Sequence, residues 1–133
     1  MGDLSKDFDR SEFACKGDDC CGHSAPIDSL LVDSLQALRD LINDGKSEEE
    51  EIGLTINSGF RCITYNATVP GSASDSTHCL GIAADVDTPD GITEDQLIAF
   101  AEQIPAFKSG GIGKYPGRVH LDVRNWLARW TVA

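Results

Sequence analysis

Residues 58–85, SGFRCITYNATVPGSASDSTHCLGIAAD, and the later run VHLDVR at 119–124 constrain this chain more tightly than any other feature, because together they supply two histidines and a carboxylate. Neutral imidazoles and a carboxylate can hold three corners of a tetrahedron around zinc, leaving the fourth for a water whose pKa the metal lowers to near neutrality. The candidate ligands are His78, Asp85 and His120. Gly81 signals a tight turn after His78, and residues 82–87, IAADVD, read as a strand. With a two-residue period, Ala83, Asp85 and Asp87 share one face while Ile82, Ala84 and Val86 pack on the other. Residues 119–123 alternate in the same way, with Val119, Leu121 and Val123 on one face and His120 and Asp122 on the other. Two strands can thus present ligands to one site while their opposite faces build a core.

The rest of the chain supplies elements to carry those strands. Leu31, Leu35, Leu38 and Ile42 recur at helical spacing, and Asp28 is placed to cap a helix over residues 29–42 that Asn43-Asp44-Gly45 stops. Residues 54–58 resume as a strand leading to Arg61, and residues 69–74 read as a loop that brings Ser76 and His78 over the cleft. A second helix starts near Thr93, with Glu94 and Asp95 in its first turn and Leu97, Ile98, Phe100 and Ala101 as its buried surface, and Pro105 limits it. Gly110-Gly111-Ile112-Gly113 reads as a flexible approach to a strand, and Tyr115-Pro116-Gly117-Arg118 as a turn before the His120 strand. Those glycines are no phosphate loop, since the lysine and following helix that such a loop requires are missing.

A length of 133 residues is right for one domain with a useful core. Eleven Lys and Arg against 22 Asp and Glu give a formal net charge of −11, which disfavours nucleic acid and anionic membranes as partners. No apolar run is long enough to span a membrane, and the opening MGDLSKDFDR lacks the pattern of a secretory signal. The acidic run SEEEE at 47–51 reads as a solvated helix end or loop. Five cysteines, Cys15, Cys20, Cys21, Cys62 and Cys79, leave at least one unpaired within a monomer. Cys15, Cys20, Cys21 and His23 are metal-friendly but depart from the usual paired CxxC spacing. A disulfide in that arm or between Cys62 and Cys79, or free thiols, are the alternatives.

The ordered set S-G-F-R at 58–61, S-x-H-x-x-G-x-A-A-D at 76–85, G-G-I-G at 110–113 and V-H-L-D-V-R at 119–124 resembles the zinc D-Ala-D-Ala peptidases of bacteria and their phages, most closely the short single-domain members. The resemblance covers most of the chain. It implies a single α+β domain, an antiparallel sheet with flanking helices of the kind shared with the hedgehog signalling domain. Residues 1–27 would form an N-terminal arm packed on a catalytic domain of residues 28–133. It also implies a monomeric zinc peptidase cutting peptidoglycan stem peptides, as a D,D-carboxypeptidase or a wall endopeptidase. In that reading His78, Asp85 and His120 bind Zn2+, Arg61 grips the substrate beside the metal, and Ser76 matches a second substrate contact. Many relatives carry an acidic general base three positions before the last histidine, where this chain has Gly117. Asp122 is the nearest acidic candidate for that catalytic role, with orientation of His120 and pairing with Arg124 as its other readings. Asp75, Asp87 and His23 stand behind it. A phage endolysin made in the host cytoplasm and acting at the wall fits the missing signal. The competing classes are a noncatalytic zinc-stabilised binding module and a phage structural protein that nicks the wall during entry.

Overall fold

The computed structural model describes residues 4–13, 27–60, 78 and 81–132. Helix α1, Ser29–Ile42, forms where the apolar spacing requires it, with Leu31, Leu35, Leu38 and Ile42 buried along one stripe. Asp28 caps it, its carboxylate accepting from the Leu30 N–H at 2.7 Å, while the Asp28 N–H donates to the Gly81 carbonyl at 2.9 Å. The start of α1 is thereby tied to the turn that leads into the Asp85 strand. At the far end Asn43 closes the helix, its side-chain amide donating to the Arg39 carbonyl at 2.8 Å and its oxygen accepting from the Ile52 N–H at 2.6 Å. The acidic run beyond it makes only a short exposed 3-10 turn, Glu48–Glu50, in keeping with a solvated segment.

Helix α2, Glu94–Ala101, opens on a capping box in which Thr93 Oγ1 accepts from the Gln96 N–H at 3.1 Å and Gln96 Oε1 accepts from the Thr93 N–H at 2.8 Å. Leu97 and Ala101, four residues apart, are its fully buried positions, and Ile98 and Phe100 flank that stripe and are only partly buried. Pro105 does more than end α2. It occupies the first turn of a short helix α3, Pro105–Lys108, where its missing N–H has no helical partner to lose.

Five strands among the described residues form one sheet: β1 Ile56–Ser58, β2 Ala83–Asp87, β3 Gly111–Tyr115, β4 Arg118–Asp122 and β5 Ala128–Thr131, in the order β1-β2-β4-β3-β5. The first three neighbouring pairs in that order are antiparallel, but β5 runs parallel to β3. The sheet is therefore mixed, not wholly antiparallel as the sequence suggested. The cause is the five-residue connection 123–127, which hops across the start of β3 and lays β5 on its outer edge in the same direction. A second revision concerns Gly110-Gly111-Ile112-Gly113, which is no flexible approach: Gly111 already begins β3.

The predicted alternation holds. Ala84, Val86, Ile112, Val119 and Leu121 join the α1 to α3 residues Leu35, Leu38, Leu97, Ala101 and Phe107 in a single buried cluster. The opposite face of the same strands carries Asp85, His120 and Asp122. From the N-terminal arm, Phe8 and Phe13 enter the core, and Gln36 of α1 holds the arm by accepting from Ser5 Oγ at 2.7 Å and donating to Asp7 Oδ2 at 2.6 Å. Arg39 adds an ion pair to Asp7 at 3.0 Å. Among the described residues no helix is long and apolar enough to cross a membrane.

Because Leu35 is fully buried between α1 and the sheet, Leu35→Ala should destabilise the fold by about 2–5 kcal/mol, the range for emptying a packed leucine site. Equilibrium urea unfolding reads this as a lowered midpoint at unchanged slope, and an unchanged midpoint would show that the site lies outside the core.

Candidate metal centre

Strand register places two of the expected ligands side by side. Asp85 of β2 is the direct cross-strand partner of His120 of β4, and both point away from the core because their neighbours Ala84, Val86, Val119 and Leu121 point into it. His78 joins them from the turn ahead of β2, which is closed by the Gly81 N–H donating to the His78 carbonyl at 3.3 Å. One ligand atom from each residue lies within 4.8 Å of the others, and all three side chains are buried.

Each imidazole is fixed by the nitrogen that faces away from the group. His78 Nδ1 lies 2.7 Å from the Gly59 carbonyl oxygen, which can only accept, so Nδ1 carries the proton and Nε2 is left facing Asp85 Oδ1 at 3.3 Å. His120 Nε2 lies 2.7 Å from Asp122 Oδ2 and donates to it, leaving Nδ1 turned to Asp85 Oδ1 at 3.1 Å. As neutral rings, both histidines would therefore present lone pairs to the same carboxylate oxygen. That contact is repulsive unless a positive centre sits among the three atoms, and only a proton or a metal ion can supply one. The donor set of two nitrogens and one oxygen suits zinc, with His120 held through its second nitrogen by a carboxylate and His78 by a backbone carbonyl, as metal-binding histidines commonly are.

The ionisation balance points the same way. Burial pushes the Asp85 carboxyl up, but hydrogen bonds from His120 and His78 outweigh it and hold Asp85 well below the ordinary carboxylate range. Burial pushes His120 down, yet its bonds to Asp122 and Asp85 overcome this and leave it raised. Asp122 is likewise held low against the effect of burial, by His120 and Arg124.

Asp122 is fully buried and sits at the His120 nitrogen opposite the one that faces Asp85. Its Oδ1 also accepts from the Gly111 N–H at 2.9 Å, and Arg124 Nη2 lies 2.7 Å from its Oδ2. These contacts favour orientation of His120 and pairing with Arg124 over the general-base reading, because both oxygens are already engaged by donors. Gly117, where many relatives carry the base, is a turn residue at φ 79° between β3 and β4, a conformation that favours glycine. Arg61 and Ser76, the expected substrate contacts, lie outside the described residues, as do the five cysteines, His23, Asp75 and the loop 69–74.

The sequence reading missed three contributors, Gly111, Gly113 and Trp130. Gly111 is the partner of Asp122, and Gly113 that of both His120 and Trp130. A Cβ on Gly111 would run into the Asp122 carboxylate, and one on Gly113 into the Trp130 indole. The glycines thus leave a trough across β3 in which Asp122 and Trp130 lie, and the indole reaches the His120 ring with centroids 5.0 Å apart. Trp130 Nε1 donates to the Tyr115 hydroxyl at 2.9 Å, which fixes the ring. The signal was present in the two-residue spacing of the glycines, but only strand order reveals what fills the space above them.

An α+β domain that buries a His/Asp/His group on one sheet face, with both imidazoles locked from behind, has the makings of a metal-dependent hydrolase. A family model described as peptidase M15 matches residues 6–122, a stretch that includes all three candidate ligands and Asp122. The chain belongs to this family, the zinc D-Ala-D-Ala carboxypeptidase-like metallopeptidases. No curated protein matches it in sequence.

Two substitutions separate the roles assigned at this centre. His120→Ala should remove most bound zinc, and elemental analysis finding full occupancy in the purified variant would refute the coordination. Asp122→Asn should weaken zinc binding by about 10-fold or more, the usual effect of losing an orienting partner, with turnover at saturating zinc staying within a few-fold of the parent. A loss of roughly 100-fold at saturating zinc would instead restore Asp122 as the base.

Proposed function

We propose that the protein is a zinc metallopeptidase that hydrolyses a peptide bond in bacterial peptidoglycan stem peptides, as a D,D-carboxypeptidase or a wall endopeptidase. The observation that carries this reading is the buried group His78, Asp85 and His120, whose nitrogens and carboxylate oxygen converge with the far side of each ring already bonded. Membership of the peptidase M15 family supports the reaction type. Zinc held there would polarise the scissile carbonyl and lower the pKa of a bound water.

The chain's own residues then divide the work. His78 and His120 offer neutral nitrogens, Asp85 offers the charge, and Asp122 keeps the His120 ring from turning. Arg61, in the S-G-F-R stretch that follows β1, is read as the substrate anchor, since its planar fork matches a carboxylate. Ser76, two residues before His78, is read as a second contact. For the proton relay the acidic candidates beside Asp122 are Asp75 and Asp87, of which Asp87 shares the ligand face of β2, and His23 is the other titratable candidate. A phage lysis enzyme that meets the wall after the membrane is breached is the setting proposed for this activity. Its net charge of −11 repels anionic wall polymers, so recognition must be local, through Arg61 and the metal.

Mass spectrometry of defined muropeptides incubated with the zinc-loaded protein tests the proposal. Loss of one terminal alanine identifies a carboxypeptidase, and conversion of a cross-linked dimer to monomers an endopeptidase. Unchanged masses across both substrate types would rule out the reading. In the same assay Arg61→Ala should slow turnover with zinc content intact, and equal kinetics on a defined stem peptide would remove Arg61 from the substrate site.

A further inference from the structure

The chain of contacts behind His120 does not stop at Asp122. Arg124 closes on that carboxylate with its side chain and its backbone: Nε lies 2.9 Å from Oδ1 and 3.0 Å from Oδ2, Nη2 lies 2.7 Å from Oδ2, and the Arg124 N–H donates to Oδ1 at 3.1 Å. The guanidinium is itself placed by two indoles, with its Cζ 5.4 Å from the ring centroid of Trp126 and 5.4 Å from that of Trp130. Trp130 returns to the His120 ring. The contacts therefore form a closed circuit, from His120 to Asp122 to Arg124 to Trp130 and back. Arg124, Trp126 and Trp130 all lie past residue 122, where the family match ends.

We infer that Arg124 is a positioning residue of the metal centre, acting through Asp122 to hold the His120 ring with Nδ1 toward Asp85 and His78. The physical need is specific. Asp122 is wholly buried, and burying a carboxylate is costly unless it is paired and hydrogen-bonded. Backbone donors from Gly111 and Arg124 both reach Oδ1, whereas Oδ2, the oxygen that holds His120, has Arg124 as its other side-chain donor in the circuit. The guanidinium fork fixes the plane of the carboxylate, and hence the direction of Oδ2, which a lysine's point charge cannot do. Paired in this way, Asp122 stays a hydrogen-bond acceptor for His120 and would be kept from competing as a ligand for a bound cation. The trough over Gly111 and Gly113 is what allows Asp122 and Trp130 to lie flat enough to complete the circuit.

The inference rests on the reading that His78, Asp85 and His120 bind zinc, and its test is built so that the two can fail separately. Arg124→Met and Arg124→Lys are made in the full chain. Zinc affinity is measured by competition with a chromogenic chelator. The His120 Nε2–H proton is followed by NMR in the 15N-labelled, metal-free protein, where its bond to Asp122 exists whichever charge the ring carries. Arg124→Met should weaken zinc binding by about 10-fold or more and abolish the slowly exchanging ring proton, with Arg124→Lys intermediate. In an Asp122→Asn background Arg124→Met should add little further loss, because the two residues act as one unit. A variant that melts earlier but keeps the parental zinc affinity and ring proton makes Arg124 a staple of the fold and overturns the inference. Additive losses in the double variant overturn it too, by showing action independent of Asp122. Should Arg124→Met not fold, Arg124→Lys carries the same comparisons. If the parent binds no zinc, the metal reading fails, while the ring proton still decides for or against Arg124.

Discussion

The pairing of Asp85 with His120 across β2 and β4 is the constraint on which everything else in this molecule depends. A strand exposes alternate residues to opposite faces, so a slip of one residue between these strands would turn His120 and Asp122 into the core and Val119 and Leu121 out of it. Burying each of those aliphatic side chains contributes on the order of 1.5–3 kcal/mol, and burying a histidine and a carboxylate without partners would cost several more. The register that brings ligand to ligand is thus the one the core already demands. Hydrophobic packing on the far face sets the geometry of the site, and the short β3–β4 turn at Pro116 and Gly117 holds it at one end, where the Thr88 N–H after β2 donates to the Gly117 carbonyl at 2.9 Å.

How much of this was legible in the sequence follows from which contacts are local. The alternation in 82–87 and 119–123 carried both ligand strands, and the apolar spacing from Leu31 to Ile42 with Asp28 ahead of it carried α1, because each depends on neighbours within a few residues. Two features were hidden. The sequence of β5 shows no clean alternation, since an edge strand with Arg129 and Trp130 on opposite faces is only half covered. The glycines of β3 looked like a flexible loop because glycine is a poor strand former by itself, and they are strand only because β4 and β5 hold them from both sides.

The candidate site divides in the same way. The candidate ligand set was readable from residue type and spacing, and so was Asp122 as a group that could orient His120, whereas the lock on His78 was not. The Gly59 carbonyl that fixes His78 is nineteen positions upstream and has no side chain to advertise it. For Asp122 the sequence left three roles open as if they competed, but two of them occur together: the carboxylate orients His120 with the same oxygen that receives Arg124. A short V-H-L-D-V-R motif shows which residues are close in the chain. It does not show that Arg124 turns back two residues to reach the carboxylate, because that depends on the strand ending at Asp122.

Charge ties these local facts to the proposed substrate. The protein as a whole is strongly acidic, and an anionic peptide approaching it meets repulsion over most of its surface. At the centre the balance reverses. With a divalent cation held there, both imidazoles would enter as neutral ligands and the Asp122 charge is met by Arg124, so the cation would be opposed by Asp85 alone and the site would be left net positive. Were Asp122 unpaired, that surplus would vanish and a substrate carboxylate would find no electrostatic reason to settle beside the metal. Arg124 therefore belongs to the logic of the site twice, through the direction it gives His120 and through the negative charge it removes, and the second effect matters most in a chain with so little positive charge to spare.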